Sequence, residues 1–108
     1  MTTVSFIFNE RRIIGFDMAG HSGFAESGQD IVCAAASGLF YALAQEVLTQ
    51  QENGNGTAEI EDDGSRRMVR LTDVRDKKRA NHAFEMIYRG FALIAQQYPQ
   101  YMETEKDF

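Results

Sequence analysis

Hydrophobic positions alternate at the start of the chain. Val4, Phe6 and Phe8 share one side of V-S-F-I-F, the period of a strand. Asn9 to Arg12 is a polar break that suits a hairpin. A second strand over Ile13 to Ala19 then puts Ile14, Phe16 and Met18 on one face. Gly20 to Asp30 shows neither period and reads as a mobile, glycine-rich loop. From Ile31 to about Gln51 the spacing becomes helical, with Val32, Ala35, Leu39, Leu43 and Val47 as the main stripe. Ile31, Ala34, Tyr41, Ala42 and Leu48 form a second stripe. A helix apolar on two sides is central to its fold or lies at an oligomer interface. Asn53-Gly54-Asn55-Gly56 stops it. Thr57 to Glu61 and Arg67 to Leu71 are short strands about the turn Asp62-Asp63-Gly64-Ser65. A second helix starts at Asp73 or Asp76, carries Ala80, Phe84, Ile87, Phe91, Ile94 and Tyr98 inward, and ends at Pro99. Gln100 to Phe108 is expected to be a flexible tail. The order β-β-α-β-β-α predicts an α+β fold in one domain, residues 1–108: a small mixed sheet with the helices on one or both faces.

Composition narrows the function. With 108 residues, 44% hydrophobic and 25% charged, the chain has the make-up of a globular protein, which excludes wholesale disorder. A net charge of −5 argues against a general nucleic-acid binder. One cysteine excludes an internal disulfide, and two histidines with one thiol are too few for a closed zinc site, so no metal or cofactor is expected. The longest apolar run, Ile31 to Ala44, is about 14 residues against the roughly 20 of a membrane span. The first ten residues lack the pattern of a signal peptide. A cytoplasmic protein without membrane attachment is the expectation.

Chemistry points to the loop and the helix after it. Acyl transfer by a cysteine needs a thiolate, a histidine to generate it and relay its proton, and donors for an oxyanion. His21 lies in the loop, and Cys33 is expected in the first turn of the long helix. Unpaired amides and the helix dipole favour a thiolate there and point at a developing oxyanion. Asp30 has two uses. It can cap the helix, or act as the acid of a Ser27-x-x-Asp30 box; released from both, it can orient His21. The plain alternatives are a packed core cysteine and an ordinary loop histidine.

Residues 20–37 carry a fuller pattern: a Gly-His pair at 20–21, Gly23 before the aromatic Phe24, then Gly28-Gln29-Asp30-Ile31-Val32-Cys33-Ala34 and a closing Ser37. This resembles the signature of the ribosomal-processing cysteine proteases, the Prp family, without departure, and the resemblance extends over the whole chain. It implies an endopeptidase that removes a short N-terminal extension from bacterial large-subunit ribosomal protein twenty-seven during ribosome assembly. Cleavage would fall after an aromatic pair and before a small residue. It implies Cys33 as nucleophile, His21 as general base and acid, Asp30 and Ser37 in support, and a homodimer. Ser37 is one helical turn after Cys33, on the same face; its plain role is a hydroxyl bonded back to a helix carbonyl. Gly20, Gly23 and Gly28 would let the loop gate the cleft, so that the pair assembles when substrate docks.

The rival reading is a non-catalytic ribosome-associated binding module with His21 and Cys33 structural. Seven of the eleven Lys and Arg residues lie between Arg66 and Arg79. These either touch ribosomal RNA or form a solvated surface, the latter being preferred. Glu59, Glu61, Asp62 and Asp63 read as an exposed hairpin tip, and His82 as an exposed helix residue.

Overall fold

The computed structural model describes residues 2–9, 12–20 and 27–107, with the backbone alone for 20, 27–30 and 107. Strands β1 (Thr2–Asn9) and β2 (Arg12–Gly20) form the predicted hairpin, and helix α1 (Ser27–Glu52) follows. Strands β3 (Thr57–Asp62) and β4 (Arg66–Thr72) precede helix α2 (Lys77–Gln97), and β5 (Met102–Asp107) closes the chain. The sheet order is β3-β4-β2-β1-β5. All neighbours are antiparallel except β1 and β5, which run parallel.

The terminal strand corrects the expected flexible tail over 100–108. Met102 is buried in the core, and β5 pairs with β1 from Thr2↔Met102 to Ile7↔Asp107. Its sequence, M-E-T-E-K-D, has only one strongly apolar residue because it is an edge strand. Thr3 and Ser5 donate to Glu103 and Glu105 across this pair (3.2 and 3.4 Å).

Both helices lie on one face of the sheet, which holds the core. Phe16 of β2 sits 5.4 Å from Phe6 of β1, 5.1 Å from Phe91 of α2 and 6.2 Å from Phe40 of α1, ring centre to ring centre. Burying each such ring stabilises the fold by about 1.5–3 kcal/mol. The hairpin register slips between Ile7 and Phe8, so that Ile7 faces Gly15 and Phe8 faces Ile13. Ile14 is the extra residue of this bulge and points outward, while Ile13 joins Phe16 and Met18 in the core. Strict alternation had placed Ile14 there instead.

The inward stripe of α1 is Val32, Ala36, Phe40, Leu43 and Val47. The second stripe, Ile31, Ala34, Tyr41, Ala42 and Leu48, is exposed, as is Ala35. The helix contains a 22-residue stretch, Ile31–Glu52, whose most apolar 18-residue window has a mean hydropathy of 1.6. That is long and apolar enough to cross a bilayer by length and composition, beyond the shorter run read from sequence; its inward residues are packed against the sheet.

The turn after α1 is fixed by Asn55, which is buried. Its side chain donates to Gln50 Oε1 (2.8 Å) and the Asp76 carbonyl (3.1 Å), and accepts from the amides of Arg75 (3.1 Å) and Asp76 (2.6 Å). Asp76 in turn caps α2 by accepting from the Arg79 amide. Gly56 adopts a φ of +111°, and a Cβ there would stand 2.7 Å from the Thr72 carbonyl oxygen.

Candidate active site

Of the functional candidates, Cys33 and Ser37 lie on α1, and Ser37 meets the start of β4. Cys33 is a free, half-buried thiol on α1. Because α1 begins at Ser27, Cys33 is its seventh residue rather than part of its first turn. The four amides left unpaired at a helix start are those of residues 27–30. The Cys33 amide is therefore within the helical ladder, and the expected placement of Cys33 in the first turn is corrected. The side chain still leans towards the helix start, as helical side chains do.

The same boundary corrects the loop. Gly20 ends β2, paired with Thr2, and Gly28 is helical, so neither belongs to a free segment between the elements. Asp30 is the fourth residue of α1, which rules out its reading as the N-cap. Ser27, at the helix start, stands where the alternative box would begin. His21, Gly23 and the side chain of Asp30 lie outside the described residues.

Ser37 is where the site becomes specific. Its hydroxyl accepts a hydrogen bond from Arg67 Nη1 at 2.8 Å. Among the described residues this is its side-chain contact, in place of the expected bond back to a helix carbonyl. Arg67 stands on the inward side of β4 with Val69 and Leu71, opposite Met18 of β2. Its Nε donates to Asp62 Oδ1 at 3.2 Å. Its guanidinium carbon lies 5.2 Å from the centre of the Phe40 ring and 5.5 Å from that of Tyr41. Sequence reading filed Arg67 with a basic cluster and missed this role. The available signal was the alternation in R-R-M-V-R-L, which puts Arg67 on the apolar side of the strand.

The β3–β4 hairpin that presents Asp62 is held by its neighbour. Asp63 accepts from the Arg66 amide (2.7 Å), the Ser65 amide (2.9 Å) and the Ser65 hydroxyl (3.0 Å). These bonds, the Arg66 amide first, hold its carboxyl below the usual aspartate value. Asp62 accepts from the Gly64 amide as well as from Arg67. The acidic run is thus an exposed hairpin tip, as its spacing suggested. His82 is exposed too.

The basic cluster does not form one surface. Arg67 faces α1, and Arg70, on the opposite side of β4, pairs with Asp17 (3.3 Å) above Gly15. Arg66, Arg75, Lys77, Lys78 and Arg79 are exposed. The RNA-binding alternative loses two of its seven cations to internal contacts.

Residues 1–103 match the family model described as cysteine protease Prp. The ribosomal processing cysteine protease Prp of Bacillus subtilis is 38% identical over 40 residues, which cover 37% of this chain and 36% of that protein. The chain thus matches about a third of the length of this curated relative. A crystal structure from Streptococcus mutans superposes with a TM-score of 0.83 at 24% identity, over 99% of this chain and 97% of the other. The ribosomal processing protease Prp of Staphylococcus aureus, in complex with a substrate peptide, gives a TM-score of 0.82 at 20% identity, over 99% and 100%. At these identities the structural matches establish the shared fold.

Proposed function

The chain belongs to the cysteine protease Prp family, and from that premise we propose that it is a cysteine endopeptidase which trims the N-terminal extension of large-subunit ribosomal protein twenty-seven. The observation that carries the proposal is Cys33: a free, partly exposed thiol on α1, in a chain whose Gly-His pair stands at the junction where β2 ends at Gly20. Support for a peptide substrate comes from the Staphylococcus aureus Prp, whose structure holds a substrate peptide.

In this reading His21 removes the thiol proton and the Cys33 sulfur attacks the scissile carbonyl carbon. The new C–S bond pushes the carbonyl electrons onto oxygen. When they return, the C–N bond breaks and the amine leaves with the proton from His21. Water, deprotonated by His21, then attacks the thioester, the C–S bond breaks, and the acid and free enzyme are released. Asp30 supports the His21 side of the site and Ser37 the Cys33 side. The enzyme works in the cytoplasm, where a lone thiol stays reduced, and as a homodimer.

The test uses purified full-length chain and a peptide spanning the extension junction. Cys33→Ala abolishes cleavage with the fold retained, and one equivalent of alkylating agent does the same to the native chain. His21→Ala lowers kcat by at least about 10²-fold without an equal loss of stability. Cleavage by Cys33→Ala at the native rate would leave the binding-module reading in its place.

A further inference from the structure

Arg67 is the least expected side chain near Cys33. It occupies an inward position on β4 that pairing and packing would fill as well with methionine. Its side chain is only 17% exposed. Burying most of a guanidinium carries a large desolvation cost, offset here by Asp62 at one edge and the Phe40 and Tyr41 rings. Among the described residues, the remaining edge meets a single neutral atom, Ser37 Oγ.

That contact changes what Ser37 can do. A serine hydroxyl has one proton and two acceptor lone pairs. In mid-helix the proton usually returns to a carbonyl one turn back. With Arg67 Nη1 in one lone-pair direction, the proton points away from the guanidinium. The Ser37 side chain leans over the preceding turn, the turn that carries Cys33. A cation one hydrogen bond away also polarises the O–H and strengthens it as a donor. The Cys33 amide is held in the α1 ladder and so does not itself serve charge that develops beside the sulfur.

We infer that Arg67 is a positioning residue: it holds the Ser37 hydroxyl as a donor to the oxyanion formed when Cys33 attacks. The inference rests on the reading of Cys33 as the nucleophile. As the S–C bond forms, the carbonyl electrons move to oxygen, and the Ser37 O–H donates a hydrogen bond without giving up its proton. Arg67 touches neither substrate nor sulfur. Its effect passes through Ser37, with Asp62 as the outer anchor.

The experiment is a double-substitution cycle on the full chain, read as kcat and KM for the junction peptide. The alkylation rate of Cys33 by iodoacetamide, which forms no oxyanion, serves as the control. Ser37→Ala is expected to lower kcat about 10²-fold with KM little changed, the usual effect of losing one oxyanion donor. Arg67→Met lowers kcat at least about tenfold, and Arg67→Lys recovers part of that loss. The double variant is no slower than Ser37→Ala alone, because both act through one bond. Alkylation stays at the native rate throughout. Arg67→Met with native kcat, or losses that multiply in the double variant, would overturn the inference. If Arg67→Met does not fold, Arg67→Lys with Ser37→Ala closes the same cycle. A Cys33→Ala variant that still cleaves defeats the protease reading itself. A dead Cys33→Ala beside a fully active Arg67→Met defeats only the role of Arg67.

Discussion

Asn55 shows how one short polar side chain can decide the join between two helices. It lies beyond the end of α1 in an N-G-N-G run, where sequence suggests only a place to stop. In the structure its amide satisfies four groups at once, two of them backbone amides leading into α2. Gln50, fully buried, completes the link by donating to Glu46 at 2.6 Å. Removing the Asn55 side chain leaves the buried Gln50 and the part-buried groups of Arg75 and Asp76 without these partners. Each such orphan costs about 1–3 kcal/mol, and the shared location limits the sum. Asn55→Ala is therefore expected to lower the unfolding free energy by about 2–4 kcal/mol, measured by urea titration. A loss below about 0.5 kcal/mol would mean that water replaces the network.

At the scale of elements, strands and helices with strong periodicity were legible and their ends were not. β1, β3, β4 and α2 fall within about two residues of the spans that the pattern predicts. The Ala80-Phe84-Ile87-Phe91 stripe faces the core as expected. Three errors had physical causes. A bulge at Ile14 shifts the alternation, and nothing in Ile13-Ile14 says which isoleucine turns in. The start of α1 was missed because Ser27-Gly28-Gln29-Asp30 has low helix propensity, and tertiary packing overrides it. β5 was missed because an exposed edge strand rich in Glu and Lys has no apolar period, and its place is set by pairing to β1. In the candidate site, spacing made legible only that Cys33 and Ser37 share one face of α1; their roles rest on the family resemblance. The Arg67 contact joins β4 to α1 and needed the fold.

The β3–β4 hairpin carries a prediction at this scale. Asp63 is more acidic when folded than in the unfolded chain, because its bonds to the Arg66 amide, then the Ser65 amide and hydroxyl, favour the carboxylate. Its contribution is present above the unfolded value of about 3.9 and is lost as pH falls through the lower folded value. In an NMR titration Asp63 should protonate below the ordinary aspartate range. The Arg66 amide should gain hydrogen exchange over the same interval, and Asp63→Asn should remove that acid-dependent step. An Asp63 that titrates at the ordinary value would show that the turn does not depend on its charge.

At the scale of the whole molecule, the outward side of α1 bears on the proposed homodimer. Ile31, Ala34, Gly38, Tyr41, Gln45 and Leu48 follow one another at alternating steps of three and four, the spacing of a helix-to-helix seam. All six are exposed, Ile31 and Tyr41 at 54% each. Gly38 sits mid-seam, and a Cβ built there meets nothing within 4 Å. A partner helix can approach closely at that point, while a larger residue is free of cost in the single chain. Two substitutions therefore separate association from folding. Tyr41→Glu is expected to give a monomer in sedimentation velocity, by placing a charge inside an apolar contact. Gly38→Val should weaken the dimer at least about tenfold and change the folded chain's stability by no more than the ~1 kcal/mol scale of helix propensity. A native chain that sediments as a monomer would sink the dimer outright. A dimer untouched by both substitutions would move the interface away from α1 and leave its second apolar stripe unexplained.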